Sequence, residues 1–368
     1  MDKKKIRAIG AAVLAVLWLG LTAFAWFKPA DEMSLSERRQ LDQFPALSGK
    51  SVLAGSFMTD FESYTLDQFP LRDAFRQLKA RFHYQVLGQK DNNDIFLYDG
   101  YAAKMEYPLN ESSVAFALEK FTGIYNKYLK PKGSRAFVSV VPDKSFYMGP
   151  GSGALTMDYE KLFAMVEAGM PWAEYVDLTD TLTLADYYFT DTHWRQERLL
   201  GAAGRLCAAL EIQEPRAGDY TVTETLDSFY GVYYGQAALP MDPERLYTLQ
   251  NEELKGCTVY NHETGKTTQV YDMSKRGAND PYDIYLSGAT ALLTIENPGA
   301  SSDKELIVFR DSFGSSMIPL LLHGYKTVTV VDIRYIASGF LDQFVDFHGQ
   351  DVLFLYSTLV LNSAFTLK

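Results

Sequence analysis

Two short segments of the chain carry the residue types that acyl-transfer chemistry needs. In the segment Phe189–Glu197, Asp191 and His193 are two positions apart. In extended backbone such residues face the same side, so the carboxylate can bind one imidazole nitrogen and leave the other free as a base. In the second segment, Ser312 follows the apolar run 305–309 and precedes a helical pattern. A serine at a strand-to-helix turn stands beyond the sheet edge, where the N–H groups that open the helix can bind an oxyanion.

Each motif also has a purely structural interpretation. Ser312 would serve as a helix N-cap, and His193 would be a loop residue followed by Trp194 as the anchor of the next helix. The two motifs together favour catalysis, because His193 is the one histidine of five with both a neighbouring carboxylate and a tryptophan before a helix. A metal site is not expected, since one Asp-x-His pair supplies two ligands and no third has suitable spacing.

The elements that must position these residues follow from the hydrophobic pattern. Nearly continuous apolar runs predict buried parallel strands at 136–141, 305–309, 327–331 and 351–355. Apolar residues spaced three and four apart predict helices at 57–89, 114–129, 159–168, 195–210 and 315–322. Their alternation predicts an α/β fold with a parallel sheet flanked by helices. The Thr-, Tyr- and Gly-rich stretch 214–280 is expected to be a β-rich insertion.

The N-terminus predicts a membrane anchor. Four basic residues within positions 3–7 precede the uncharged stretch 8–27, which at 20 residues matches the hydrocarbon thickness of a bilayer. The positive charge should stay in the cytoplasm, so everything after Lys28 would be exported. A cleaved signal peptide is the alternative, with small residues at Ala23 and Ala25, but the apolar run exceeds a usual signal core. The expected domains are an anchor at 1–28, a tether and helical segment at 29–130, and the α/β domain at 131–368.

Composition excludes several classes of protein. With 47% apolar and 22% charged residues, the 368-residue chain is globular rather than disordered. A net charge of −11 repels phosphate backbones, so no nucleic-acid partner is expected. Cys207 and Cys257 cannot form a structural zinc site, and one optional disulfide is left open. No cofactor is indicated.

Several segments in a fixed order resemble the DHHW family of exported bacterial proteins. More distantly, they are similar to the SGNH-hydrolase-like domain of alginate O-acetylation proteins. The segments are Phe61–Phe75, Ile95–Tyr101, Ser139–Tyr147, Asp191–Trp194, Ile284–Asn297, Leu306–Leu321 and Val331–Ile336. The resemblance implies an SGNH-hydrolase-like sheet and a catalytic triad of Asp191, His193 and Ser312.

The chain also departs from the family pattern. Thr192 replaces the second letter of the family's name motif. Arg310 replaces the Gly of the G-D-S-F motif, where it would bind an anionic substrate or merely flank the strand. Lys144 matches a lysine common in this group and is expected either in the cleft or on the surface. Backbone N–H groups near Ser312 and Phe313 are the expected oxyanion donors.

Together these features predict an enzyme in the cell membrane, single-pass, with an extracytoplasmic catalytic domain. The expected reaction is O-acetyl transfer to a cell-surface or secreted glycan, or ester hydrolysis. A transferase needs an acyl source across the membrane that one helix cannot supply, so a multi-span acyltransferase partner is implied. The alternative is a non-catalytic glycan-binding or envelope assembly protein on the same fold, for which the 24 Tyr and 23 Phe residues provide aromatic surface.

Overall fold

The computed structural model describes residues 3–34 and 36–368. The chain divides into two compact units, one up to Asn92 together with 238–240, the other comprising 93–237 and 241–368. The first unit contains α1 (Lys3–Phe27), β1 (Met33–Ser34), β2 (Arg39–Gln40), α2 (Gly49–Leu53), α3 (Ser56–Asp67), α4 (Arg72–Arg81), a π-helical turn (Phe82–Val86) and β3 (Asp91–Asn92).

Helix α1 has the length and composition of a single membrane span or a signal anchor. It is 25 residues long with a mean hydropathy of 2.2 over its most apolar window. Within the part of the chain that the structure describes, no other helix is both long and apolar enough to cross a bilayer. None of its side chains is buried against protein, which fits a helix whose surroundings are lipid.

Two helices replace the single helix predicted over 57–89. The chain breaks between α3 and α4, where Leu71 adopts a left-handed conformation with φ of 57°. At this break the buried side chain of Asp67 accepts a hydrogen bond from Arg39 at 2.7 Å, and Gln68 donates to the carbonyl of Asp31 at 2.8 Å. These tertiary bonds hold the end of α3 away from a continuous helical path.

The second unit holds most of the regular structure. Its strands are β4 (Ile95–Tyr98), β5 (Tyr101–Lys104), β6 (Ala136–Val141), β7 (Glu174–Tyr175), β8 (Thr221–Phe229), β9 (Glu244–Gln250), β10 (Thr258–Asn261), β11 (Lys266–Thr268), β12 (Leu292–Glu296), β13 (Glu305–Arg310), β14 (Thr327–Val331) and β15 (Asp351–Ser357). Its helices are α5 (Glu111–Ile124), α6 (Lys144–Met148), α7 (Tyr159–Gly169), α8 (Leu200–Ala209), α9 (Val232–Ala237), α10 (Glu252–Gly256), α11 (Gly314–Met317) and α12 (Thr358–Asn362). A π-helical turn (Tyr125–Leu129) extends α5, and 3₁₀ turns include Gln196–Arg198, Pro281–Ile284 and Ile318–Gly324.

The central sheet is mixed rather than parallel. Its eight strands run in the order β11-β10-β12-β14-β13-β15-β6-β7. The five from β14 to β7 are parallel, as predicted, whereas β12, β10 and β11 are added antiparallel at one edge. The prediction of an all-parallel sheet was therefore wrong at this edge. The apolar run in β12 is compatible with a parallel or an antiparallel strand, since a strand of either direction buries its side chains on the two covered faces of the sheet.

The stretch 214–280 contributes strands in two places. β8 and β9 form a separate antiparallel pair, while β10 and β11 lengthen the central sheet. Hydrophobic clusters lie on both faces of the sheet. Cys207 and Cys257 are buried and free, and burial raises the pKa of each thiol to about 12. The disulfide left open by the sequence is therefore not present.

Candidate active site

Ser312 lies in a tight turn at the carboxyl end of the central strand β13. The fully buried carboxylate of Asp311 accepts the N–H of Phe313 at 3.0 Å and the N–H of Ser357 at 2.7 Å. The first bond shapes the turn, and the second ties it to the end of the adjacent parallel strand β15. Ser312 itself remains partly exposed. This is the edge of an open α/β sheet where binding sites collect.

A continuous hydrogen-bond chain joins Asp191, His193 and Ser312. The imidazole Nδ1 lies 2.6 Å from Oδ1 of Asp191, and Nε2 lies 2.7 Å from Oγ of Ser312. Because an ionised carboxylate can only accept, Nδ1 carries the proton and Nε2 accepts from the serine hydroxyl. The second oxygen of Asp191 accepts the N–H of Val232 at 2.9 Å. The carboxylate is thereby fixed from two sides, and Asp191 is fully buried while His193 is 6% exposed.

Two aromatic residues orient the histidine against the serine turn. The indole N–H of Trp194 contacts the carbonyl of Phe313 at 3.1 Å and Oγ of Ser316 at 2.9 Å. Trp194 thus anchors the Asp-x-His segment to the serine turn, rather than serving only the helix that follows it. The ring of Tyr282 stacks on the imidazole with 3.9 Å between centroids and 6° between planes. The sequence did not single out Tyr282, whose partner lies far away along the chain.

The stretch 214–280 closes the site from one side. The N–H of Gly231 donates to Oγ1 of Thr190 at 2.8 Å. A Cβ atom on Gly231 would lie 2.2 Å from Cα of Asp191, so no other residue fits there without displacing the aspartate. This stretch therefore contributes to the site as well as to the sheet, because it holds the carboxylate that orients His193.

Lys144 and Glu244 clamp the backbone that leads into Asp191. The ammonium of Lys144 donates to the carbonyls of Tyr188 and Phe189 at 2.7 and 3.2 Å. The carboxylate of Glu244 accepts the N–H groups of Phe189 and Thr190 at 2.5 and 2.6 Å. Burial lowers the pKa of Lys144 to about 7 and raises the pKa of Glu244. Lys144 is 2% exposed, so it lines neither an open cleft nor the surface, the two places expected from the sequence.

Arg310 lies beneath the serine turn and away from solvent. It is fully buried, donates to the carbonyl of Gly288 at 2.9 Å, and lies 3.7 Å from the carboxylate of Asp332. A Cβ on Gly314 would lie 2.7 Å from Cβ of Arg310, so the arginine packs directly under the turn. Of the two alternatives drawn from the sequence, this position fits a structural role at the strand end better than contact with an anionic substrate.

The backbone of the turn offers one free oxyanion donor. In residues 3–34 and 36–368, no group accepts the N–H of Ser312, whereas the N–H of Phe313 is bound to Asp311. Of the two donors expected from the sequence, the N–H of Ser312 is therefore the one left without an acceptor. Across the same described residues, no cluster of three or more His, Cys, Asp or Glu side chains has metal-binding geometry.

Part of the chain matches a known family model, and the fold is similar to solved structures. Residues 180–331 match the family model described as DHHW protein. The fold is similar to a DHHW family protein from Eubacterium siraeum, with a TM-score of 0.58 and 18% identity over 74% of this chain and 93% of that one. It is similar to Bacillus cereus PatB1 with a sulfonyl adduct, with a TM-score of 0.58 and 18% identity over 73% of this chain and 95% of that one.

A more distant match is the O-acetyltransferase domain of Pseudomonas putida AlgJ, with a TM-score of 0.46 and 15% identity over 74% of this chain and 95% of that domain. No curated protein sequence matches the chain. At 18% identity, the similarity to the Eubacterium siraeum protein and to PatB1 shows a shared fold and does not establish the reaction.

Proposed function

We propose that the protein is an extracytoplasmic serine-type acyl-transfer enzyme, held in the cell membrane by α1 and acting on a glycan hydroxyl. The observation that carries the proposal is the hydrogen-bond chain from Asp191 through His193 to the partly exposed Ser312, with contacts of 2.6 and 2.7 Å. Such a chain turns a weakly nucleophilic hydroxyl into an acyl acceptor at neutral pH.

The proposed reaction has two half-steps. Oγ of Ser312 attacks the carbonyl carbon of an acyl ester while Nε2 of His193 takes the hydroxyl proton. The tetrahedral oxyanion is stabilised by the free N–H of Ser312, and its collapse expels the donor alcohol, which receives the proton from His193. In the second half-step His193 deprotonates the acceptor hydroxyl. The acceptor oxygen then attacks the acyl-serine, and the released serine recovers its proton. Water as acceptor gives an esterase, and a sugar hydroxyl gives an O-acetyltransferase.

A glycan acceptor is supported by two exposed aromatic residues that are close in sequence to Asp191 or to a residue that packs on it. Phe189, two residues before Asp191, is 38% exposed, and Tyr230, next to the Gly231 that packs on Asp191, is 40% exposed. Sugar rings present apolar faces that pack on aromatic side chains. The motif resemblance to alginate O-acetylation proteins favours transfer over hydrolysis. We further propose a multi-span acyltransferase as the acyl source, since one helix cannot carry acyl groups across a bilayer.

Covalent labelling tests the proposed nucleophile. A fluorophosphonate or a sulfonyl fluoride should modify the wild-type protein, and Ser312→Ala should abolish the modification because it removes the attacking oxygen. Ser315→Ala is a matched control, because Ser315 lies three residues later in α11 and its buried hydroxyl has no hydrogen-bond partner among the described residues. Retained labelling in the control, with loss in Ser312→Ala, supports the enzyme.

The alternative is a glycan-binding or envelope assembly protein without catalysis. The same aromatic rings near Asp191 favour it, because they would bind sugar whether or not Ser312 reacts. The two functions differ in one observable: a well-folded wild type that neither reacts with the probes nor hydrolyses small esters, yet binds glycan, is a binder. Near-normal ester turnover in Ser312→Ala would remove serine as the nucleophile.

A further inference from the structure

Helix α4 and the π-helical turn after it present a row of apolar side chains to their surroundings. The row, called here the apolar stripe, consists of Leu71, Phe75, Leu78, Phe82 and Val86, which are 68, 44, 62, 49 and 65% exposed. Their spacing of four, three, four and four places them on one helical face. Five large exposed apolar residues in a row are more than a soluble surface usually carries.

The inward face of the same helix is charged. Arg72 and Arg76 turn toward the body of the first unit, where each lies within 3.1 Å of the carboxylate of Glu37. Both arginine side chains are only 17% exposed. A helix on a water-soluble protein normally buries its apolar face and exposes its charges. Helix α4 does the reverse, so its outer face is suited to an apolar environment rather than to water.

The chain itself keeps this face close to the end of the anchor. The backbone N–H and carbonyl of Asp31 both bond the side chain of Gln68, each at 2.8 Å. Asp31 is three residues after Lys28, which follows the end of α1, and three extended residues span about 10 Å. Gln68 and the start of the apolar stripe at Leu71 must therefore lie near the point where α1 leaves the bilayer.

The apolar surface is continuous with the anchor. Leu66, Phe69 and Phe75 line a cavity of about 730 Å³ whose other wall is formed by residues 14–21 of α1. Lys79 and Arg81 are exposed on the two sides of the stripe. Long basic side chains in this position reach from an apolar phase to headgroups and favour anionic lipid.

We propose that the apolar stripe is an interfacial membrane-binding surface, lying in the outer leaflet of the bilayer that α1 anchors. It rests on the anchor in the proposed function and is independent of the Ser312 chemistry. The stripe would fix the first unit against the lipid instead of leaving it on a free tether. Its occupant is the acyl-chain and headgroup boundary, and Lys79 and Arg81 would face the phosphates.

Nitroxide accessibility tests this placement on the full-length chain in vesicles of phosphatidylethanolamine and phosphatidylglycerol. Spin labels at Leu78→Cys and Asp73→Cys compare the stripe with a side chain that is 55% exposed on the other side of the same helix. Native Cys207 and Cys257 are buried and should not react. The ratio of oxygen to nickel-chelate accessibility should be at least about fivefold higher at position 78, because oxygen concentrates in acyl chains and the chelate stays in water. Phe82→Cys gives a second readout should Leu78→Cys fold poorly.

Other outcomes would overturn the inference. Equal nickel accessibility at positions 73 and 78 in floated vesicles would mean that the stripe is in water. Spin–spin broadening at 78 that disappears on dilution with unlabelled protein would mean that the stripe pairs copies of the chain. If the protein fails to float with vesicles, both the membrane anchor and the membrane-binding role of the stripe are wrong. Fluorophosphonate labelling of Ser312 would be unaffected by that result.

Discussion

Replacing Lys144 by methionine should change how the free energy of unfolding depends on pH. Methionine has a similar length but no ammonium group. In the folded protein, burial lowers the pKa of Lys144 to about 7 from its ordinary 10.5, while the carboxylates of Glu244, Asp191 and Asp143 act in the opposite direction. In the unfolded chain the lysine is solvated and regains its ordinary value.

The sign and size of the effect follow from this difference. Between about pH 7 and 10.5 the unfolded chain binds a proton that the folded chain does not, so stability rises with pH across that window. Below pH 7 the cost of burying the charge is fully present. A difference of one bound proton corresponds to about 1.4 kcal/mol per pH unit, or about 2.5 kcal/mol between pH 7.5 and 9.5. Lys144→Met lacks this rise. The carbonyl of Tyr188 loses its partner and adds a cost that does not vary with pH, whereas the carbonyl of Phe189 still accepts the N–H of Ala102 at 2.8 Å.

Urea unfolding of the fragment 29–368 at pH 7.5, 8.5 and 9.5, followed by near-ultraviolet circular dichroism, measures the prediction. The free energy of unfolding of the wild type minus that of Lys144→Met should increase with pH, because only the wild type gains stability. Lys130→Met, at an exposed lysine, should keep the wild-type slope. Parallel curves for wild type and Lys144→Met would refute the reasoning, since they would mean that Lys144 binds the same number of protons in both states.

Substitutions at three further positions test how the site is built. In Asp311→Asn, the single amide oxygen cannot accept both backbone N–H groups that the carboxylate accepts. The free energy of unfolding in urea should therefore fall by about 1–3 kcal/mol, and most of the labelling at Ser312 should be lost. Unchanged labelling would show that the turn keeps its shape without the carboxylate. Tyr282→Leu removes the ring stacked on His193 and should lower kcat on a small ester about ten- to a hundredfold, whereas Tyr282→Phe keeps the ring and should stay within about threefold. Phe189→Ala should raise KM for a glycan acceptor about three- to tenfold with little effect on water as acceptor, and an equal loss with both would argue against sugar stacking.

The parts of the fold that were predictable are those encoded in local pattern. Continuous apolar runs identified β6, β13, β14 and β15, because strands buried on both faces need apolar residues throughout. The direction of β12 leaves no such trace, so the antiparallel edge was missed. The apolar spacing around α4 predicted a helix correctly, yet periodicity does not say which face is buried. Here the buried face is the charged one, held by Glu37.

The same distinction between local pattern and tertiary packing applies to the residues of the site. Asp191 and His193 are neighbours in sequence, and Ser312 follows a recognisable strand, so their types and spacing suggested a common role. Lys144 and Glu244 bind backbone carbonyls and N–H groups. Because nearly every residue carries these groups, no pattern of side chains predicts those contacts. Tyr282 and Val232 reach the site from stretches whose approach depends on tertiary packing.

The strand order constrains when the central sheet can finish folding. β15 follows both β6 and β13 along the chain, yet it lies between them in the sheet. Until β15 has been made, both neighbours present open apolar edges that would invite aggregation or chaperone binding. Asp311 also lacks its partner Ser357 until then. The serine turn therefore gains its bond to Ser357 only after β15 has been made, so a chain that stops before β15 should carry no reactive serine and be readily degraded.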